Sequence, residues 1–462
     1  MRHRRIHFAA LLLVFAVLAM CSPAVAQDDT PFTPNVSGAN GVIIDAQGVL
    51  RMQHFPDPGG QLAKKRVAEA RARLNPDVAK LSKLRKVSIN RLEAAVREQL
   101  AGNRPPTEEM QFLAGLTQLR YVFYYPDSKD IVLAGPAEGW APDPSNRVCG
   151  INTGRPVLEL QDLIVALRAF PPSERKARAI LVSIDPTPEG LQRMQQFLSS
   201  LGSHATPAQT QMIVDGLRTN LGMQNIRIGG IEPNTHFAQV LLECDYRMKL
   251  IGIGVERPPV QMVSYVDRAK AGSNKALERW YFIPDYNCAR VAADNLGLEL
   301  VGETVKLVSE NQLVAADGSR AKTGKSNRAS ELFTTGFTRK YAELAARVPV
   351  FAEMRNLIDL AIAAAFINQQ DFYSQAGWHA ELFRNEGALA VETYNTPLQV
   401  ETVCTAVWKG NRLFTPVGGG VTIHPRQALA TSNLLADEDG KISELRESVH
   451  LKDLPADRWW WD

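Results

Sequence analysis

Residues 179–192 read AILVSIDPTPEGLQ, and the reading of this stretch decides the fold. Ala179–Ile184 is a short apolar run bounded by turn residues, which predicts a buried strand. Thr187-Pro188 then opens a helix to about residue 201, with proline in the first turn, where its missing N–H costs nothing. Thr206-Pro207 opens a second helix to about 221, Ile226–Ile228 is a short strand, and a third helix covers about 235–250. Strand, helix and strand in this order predict parallel pairing through right-handed crossovers. The expected fold class is therefore α+β, with a central mixed sheet and crossover helices.

Upstream, Gly41–Leu50 predicts a tight hairpin turning at Asp45-Ala46-Gln47-Gly48. Residues 59–103 read as helical, with Leu92, Ala95, Val96 and Leu100 on one stripe. Thr107 before Glu108-Glu109 starts another helix. LRYVFYYP and DIVLAG flank Asp127–Lys129 as a second hairpin, and a helix covers about 159–170. Downstream, Val260–Tyr265, Trp280–Ile283, Ala289–Ala292 and Leu298–Val308 read as strands. A helix from about 327 lines up Leu332, Phe333, Phe337, Tyr341 and Leu344. The next, about 350–369, is apolar nearly all round and so buried, with Arg355 and Asp359 expected to pair one turn apart. Residues 397–423 read as a last hairpin turning at Lys409-Gly410-Asn411. The expected organisation is an N-terminal segment (41–116), a central α/β region (117–310), a polar connector (311–328) and C-terminal helices, hairpin and Trp tail (329–462).

The N-terminus carries MRHRRIHF, an apolar run from Phe8 to Met20, and Ala24-Val25-Ala26 before Gln27. The run is too short to span a bilayer as a helix, and the pattern is that of a secretory signal cleaved near Ala26. Arg4-Arg5 fits a twin-arginine signal only loosely, and Met20 before Cys21 is a poor lipoprotein site. The expectation is an exported protein, periplasmic or extracellular, with a loose leader over 27–40 and no later transmembrane segment. Without Arg2, Arg4 and Arg5 the chain holds 49 basic against 49 acidic residues. This balance argues against a nucleic-acid partner. The basic stretch Lys64–Lys86 reads as a solvated helix face.

Two motif-like stretches fail on physical grounds. Gly318 and Gly324, ahead of Lys325-Ser326, are separated by five residues where a phosphate-binding loop needs four. Ser173–Lys176, Ser309–Asn311 and Lys322–Gly324 match in order the three motifs of penicillin-recognising serine enzymes. Ser173, however, lies in a polar link, and Lys322–Gly324 lacks the apolar alternation of a central strand. Ser326 or Asn327 is expected to cap the following helix.

The remaining candidates are thinner. Asp185 follows a buried strand and precedes a helix, where open α/β sheets place ligand sites, although a plain turn residue is the commoner case. His236 begins a helix, with Cys244 two turns on, about 12 Å along the axis. Asp245, Arg247 and Lys249 give that helix a charged side. Gly418–Gly420 read as a kinked strand end. Cys149, Cys244, Cys288 and Cys404 permit two disulfides in an oxidising compartment, with free buried thiols as the alternative. Trp459, Trp460 and Trp461 are a costly apolar surface that must dock, on the protein's own core or on a partner. No cofactor motif and no metal-ligand spacing are present.

Four stretches, ECDYRMKLIGIGVE (243–256), RWYFIPDYNCARV (279–291), RNLIDLAIAAAFI (355–367) and VWKGNRLFTPVGGGV (407–421), resemble an exported family of uncharacterised proteins found in planctomycete bacteria. The resemblance implies a shared fold and export, and carries no activity or site. The expected function is a non-enzymatic binding or scaffold protein of the periplasm or cell envelope, with a protein or envelope component as partner. The alternative is a hydrolase of envelope material using Asp185 and Asp245.

Overall fold

Asp45 closes the first turn by accepting the backbone N–H groups of Gln47 and Val49 at 3.0 and 2.9 Å, which folds β1 (Val42–Ile44) onto β2 (Val49–Met52) as expected. The computed structural model describes residues 41–172, 179–201, 206–269, 276–314, 320–322, 328–405, 417–448, 454–455 and 457–462. These belong to one compact unit, Val36–Asp462. The expected export signal and leader, the motif at 173–176, the cap at 326–327 and the turn at 409–411 lie outside the described residues.

The region read as helical over 59–103 contains a strand. Helix α1 (Gln61–Arg73) ends before Asn75-Pro76, a short helix covers Pro76–Ala79, β3 (Ser82–Ser88) follows, and α2 (Ile89–Ala101) comes last. Arg85 lies in β3 completely buried, not on a solvated face. Its guanidinium donates to the carbonyls of Val78 and Ala114 and to the Asp462 carboxylate at the far end of the chain. With the nearby carbonyls of Asp77 and Lys80 added, these acceptors make a buried arginine tolerable.

Next come β4 (Tyr121–Tyr125) and β5 (Asp130–Ala137), the expected hairpin, then the small pair β6 (Trp140–Pro142) and β7 (Val148–Gly150), and α3 (Leu160–Ala169). The stretch that opened the sequence reading forms β8 (Ile180–Pro186), α4 (Pro188–Ser200), α5 (Thr210–Leu221) and β9 (Met223–Gly229). Thr187 caps α4 through the N–H of Gly190 at 2.9 Å. The pairing of β8 with β9 is antiparallel, not parallel. Helices α4 and α5 pack on each other through Leu191, Met194, Ile213 and Leu217. One crossover helix returns a chain to its starting end, but a pair returns it twice, so β9 must run back along β8.

Helix α6 (His236–Gly252) follows. Val260–Tyr265 is no strand; a helical turn at Tyr265–Arg268 is capped by Ser264. Strands β10 (Ala276–Pro284), β11 (Ala289–Val291), β12 (Gly297–Leu300), β13 (Val305–Val314) and β14 (Arg320–Lys322) come next, so 298–308 is two strands and the connector at 311–328 holds part of a hairpin. Lys322 thus ends a strand, but an edge strand and not a central one. Helices α7 (Arg328–Arg339) and α8 (Pro349–Gln369) precede β15 (Gln399–Glu401), β16 (Val417–Ile423) and β17 (Trp460–Trp461).

One mixed sheet runs β1-β2-β15-β9-β8-β16-β10-β13-β14, and an antiparallel sheet runs β11-β12-β4-β5-β3-β17. The strands expected as a hairpin in 397–423 do not pair with each other: β15 lies between β2 and β9, and β16 between β8 and β10. Gly419 and Gly420 sit inside β16, a central strand. A Cβ on Gly419 (φ 136°) would lie 1.8 Å from the Trp280 carbonyl oxygen, and one on Gly420 2.0 Å from that of Val182.

Helix α6 packs on β8, β10 and β16, and α8 packs on α3 and α6. Every residue of α8 from Val350 to Asn368 is buried. Arg355 and Asp359 do not bond to each other as expected. Arg355 Nη1 lies 3.0 Å from Glu303, and Thr304 Oγ1 donates to Asp359 Oδ1 at 2.6 Å. Loop residues reach both groups before they can reach one another. Burial pushes the Asp359 carboxyl up to about 7, against the pull of Arg355. A carboxyl raised above its ordinary 3.8 contributes stability that is full below pH 3.8 and lost as pH rises through 7. Asp359→Asn should therefore be more stable than wild type at pH 8, by about 2 kcal/mol, with the difference shrinking towards pH 4; urea titrations at both pH values measure it.

Candidate functional site

The N-termini of α3 and α6 meet. Glu159 is the N-cap residue of α3, yet its side chain makes no capping bond. Asp162 lies in the first turn of the same helix. Thr235 caps α6 through the N–H of Ala238 at 3.3 Å, which fixes His236 in the first turn. His236 Nδ1 lies 2.9 Å from one Asp162 carboxylate oxygen and 3.1 Å from the other. One donor atom from each of Glu159, Asp162 and His236 lies within 4.8 Å of the other two.

Glu159 and His236 border a cleft of about 360 Å³, with Phe112 and Ile164 on an apolar side and Glu392 and Tyr394 beside them on a polar side, and Asp162 stands behind His236. The Tyr394 phenol donates to Glu392, and burial with that carboxylate raises its pKa. Burial alone would lower the imidazole, but Asp162 and Glu159 outweigh it and push His236 up to about 10. Burial also raises the Glu159 carboxyl, against the pull of His236. Beside the cleft, Arg147 joins Glu353 on α8 (2.6 Å) to Glu243 on α6 (3.1 Å). Glu353 is pushed up to about 7 by burial, which Arg147 and His236 oppose.

Asp185 and Asp245 lie elsewhere. Asp185 is a strand residue of β8, not a turn residue, and both its oxygens are 2.7 Å from Arg279 Nη2 on β10. Asp245 is completely buried and 2.7 Å from Lys249 Nζ, which also donates to the carbonyls of Ile184 and Gly419. Burial pushes Asp245 up to about 6 against the pull of Lys249, and the Asp185 charge adds to the rise. The fold thus brings the two candidate aspartates close, each with its own cation, at the seam of α6 and the mixed sheet. Neither lines the cleft at His236. The third charged residue of this helix, Arg247, pairs with Glu256 at 2.7 Å.

Cys149, Cys244, Cys288 and Cys404 are free thiols, which corrects the disulfide expectation. They sit on β7, on α6, before β11 and after β15, and Cys244 Sγ bonds the Val350 carbonyl oxygen at 3.2 Å. Trp459, Trp460 and Trp461 are buried against their own chain: β17 pairs with β3, and the Arg85 guanidinium stacks 4.8 Å from the Trp460 ring.

Residues 182–265 are similar to a family described as Protein of unknown function (DUF1598). That stretch runs from β8 through α6 and holds Asp185, His236 and Asp245. No curated protein and no solved structure matches the chain.

His236 was a sequence candidate; Glu159 and Asp162 were not. Their E-x-x-D spacing at a helix start was visible, but it is common, and the imidazole that gives it meaning is 74 residues from Asp162. The Asp245–Lys249 pair is structural. Lys249→Met, which leaves Asp245 buried without its cation, should cost about 3–5 kcal/mol, whereas Lys249→Met combined with Asp245→Asn should cost less than half of that; chemical denaturation of both variants gives the comparison.

Proposed function

We propose that the protein is an exported, non-enzymatic binding protein of the periplasm or cell envelope, and that it takes a cationic ligand into the cleft at His236. The observation that carries this reading is the charge of the cleft. Glu159, Asp162 and Glu392 stand around a single imidazole, on walls that are partly apolar. Carboxylates in such a site attract a cation more strongly than they would in open water. Export rests on the sequence of residues 1–26. No helix among the described residues is long and apolar enough to cross a membrane.

A hydrolase of envelope material is the second reading, and the Asp162–His236 contact is the observation in its favour. A carboxylate on Nδ1 orients an imidazole as a general base. Against it, the cleft lining includes no Ser, Thr or Cys among the described residues to serve as nucleophile, so water would have to attack. Asp185 and Asp245, the carboxylates first considered for this chemistry, are committed to Arg279 and Lys249.

Calorimetric titration of the purified protein with an aliphatic diamine, a quaternary ammonium ion and divalent metal salts tests the binding reading. At least one cation should bind saturably, and Glu159→Gln should weaken it at least tenfold. Turnover of cell-wall fragments that disappears in His236→Asn would replace binding by hydrolysis, and no saturable cation binding at all would discard the proposal.

A further inference from the structure

We infer that the cation is a divalent first-row transition-metal ion, held by Glu159, Asp162 and His236. The inference rests on the cleft being a cation site and names the chemical class of the cation. The donor set is the first argument. One imidazole nitrogen beside carboxylate oxygens suits zinc, manganese or cobalt, whereas calcium and magnesium prefer oxygen alone. An organic ammonium ion can at most donate a hydrogen bond to an imidazole nitrogen, whereas a transition-metal ion takes its lone pair in a coordinate bond.

Geometry is the second argument. Bonds of about 2.1 Å to a tetrahedral ion place its ligands about 3.4 Å apart. The three donors already lie within 4.8 Å of one another, and His236 and Asp162 are in contact at 2.9 Å. The remaining movement falls to Glu159, which is only partly buried and is not tied down as a cap. Rotation about its side-chain bonds covers the difference without moving either helix.

The surroundings of the ligands are the third argument. Gln161 Nε2 donates to Glu159 Oε2 at 2.6 Å, the kind of outer contact that orients a ligating carboxylate. Two of the ligands start a helix on α3 and the third starts α6, and both helices pack on the buried α8. Ligands on rigid elements lose little freedom when an ion arrives. Glu392 and Tyr394 line the same cleft as Glu159 and His236, and its volume leaves room for water or a further ligand group to complete the coordination.

The test uses the purified protein stripped of metal by chelator and dialysis. Zinc should bind with one-to-one stoichiometry and at least a hundredfold more tightly than magnesium or calcium. Cobalt(II) should give visible absorption bands characteristic of a low-coordinate site with a nitrogen ligand. His236→Asn should abolish those bands, and Glu159→Gln, at the least buried ligand, should weaken zinc at least tenfold while the circular dichroism spectrum stays that of wild type. Zinc binding no tighter than magnesium binding, or zinc binding unchanged in both variants, overturns the inference. A diamine that binds in a Glu159-dependent way while zinc does not would sink the metal and leave the cationic cleft standing; failure of both would sink both.

Discussion

A helix with no solvent face must find at least one partner inside the protein for each polar side chain it buries. Helix α8 meets that constraint, and the rest of the structure follows from how it does so. Glu353 takes Arg147, Arg355 takes Glu303, Asn356 bonds the Thr117 carbonyl oxygen, Asp359 accepts from Thr304, and Asn368 bonds Pro171 and Arg426. Those partners come from segments scattered between residues 117 and 426. An unpaired group at any of these positions would cost several kcal/mol. The polar residues of one apolar-looking helix thus tie the two sheets and the intervening loops into a single arrangement.

The cleft is a by-product of the same packing. Because α3 and α6 both lie on α8, their N-termini converge, and Glu159 and Asp162 on one helix meet His236 from a helix more than 70 residues further along the chain. The Arg147 bridge between Glu353 and Glu243 clamps α6 to α8 just beside that point. Two clusters of charge therefore sit along α6 with different fates. At its start the carboxylates outnumber the cations and border open space. Further along, Asp245 and Lys249 neutralise each other under the sheet, and Asp185 and Arg279 do the same at its strands. Only the first cluster has the unbalanced charge and the room that a ligand needs.

All of α6, and β8 from Val182 onward, fall within the stretch that resembles a family of unknown function, whereas β10 and β16, which α6 also covers, fall outside it. Glu159, Asp162, Glu392 and Tyr394 fall outside it. The cleft thus joins residues within the matched stretch to residues before and after it, and its chemistry belongs to the whole chain.

Local signals settled much of the secondary structure. The Asp45 turn, the Thr187-Pro188 helix start, the hairpin around Asp127–Lys129 and the all-round apolar pattern of α8 each have a cause within a few residues, and each is present. What failed involved partners far away in sequence. SKLRKVS reads as helix because its lysines and arginine look solvated, yet Arg85 is buried on acceptors as distant as Asp462. The parallel pairing expected of β8 and β9 failed because two helices, not one, join them. Asp185 looked free until Arg279 arrived from β10, 94 residues away, whereas the partner of Asp245 was one turn along its own helix at Lys249. By itself the sequence determined where the chain turns, caps and hides apolar surface, because those preferences are short-range. Tertiary structure alone decided strand direction, which charges are neutralised and which face a cleft, because desolvation and Coulomb energies depend on what the remainder of the chain places within a few ångströms.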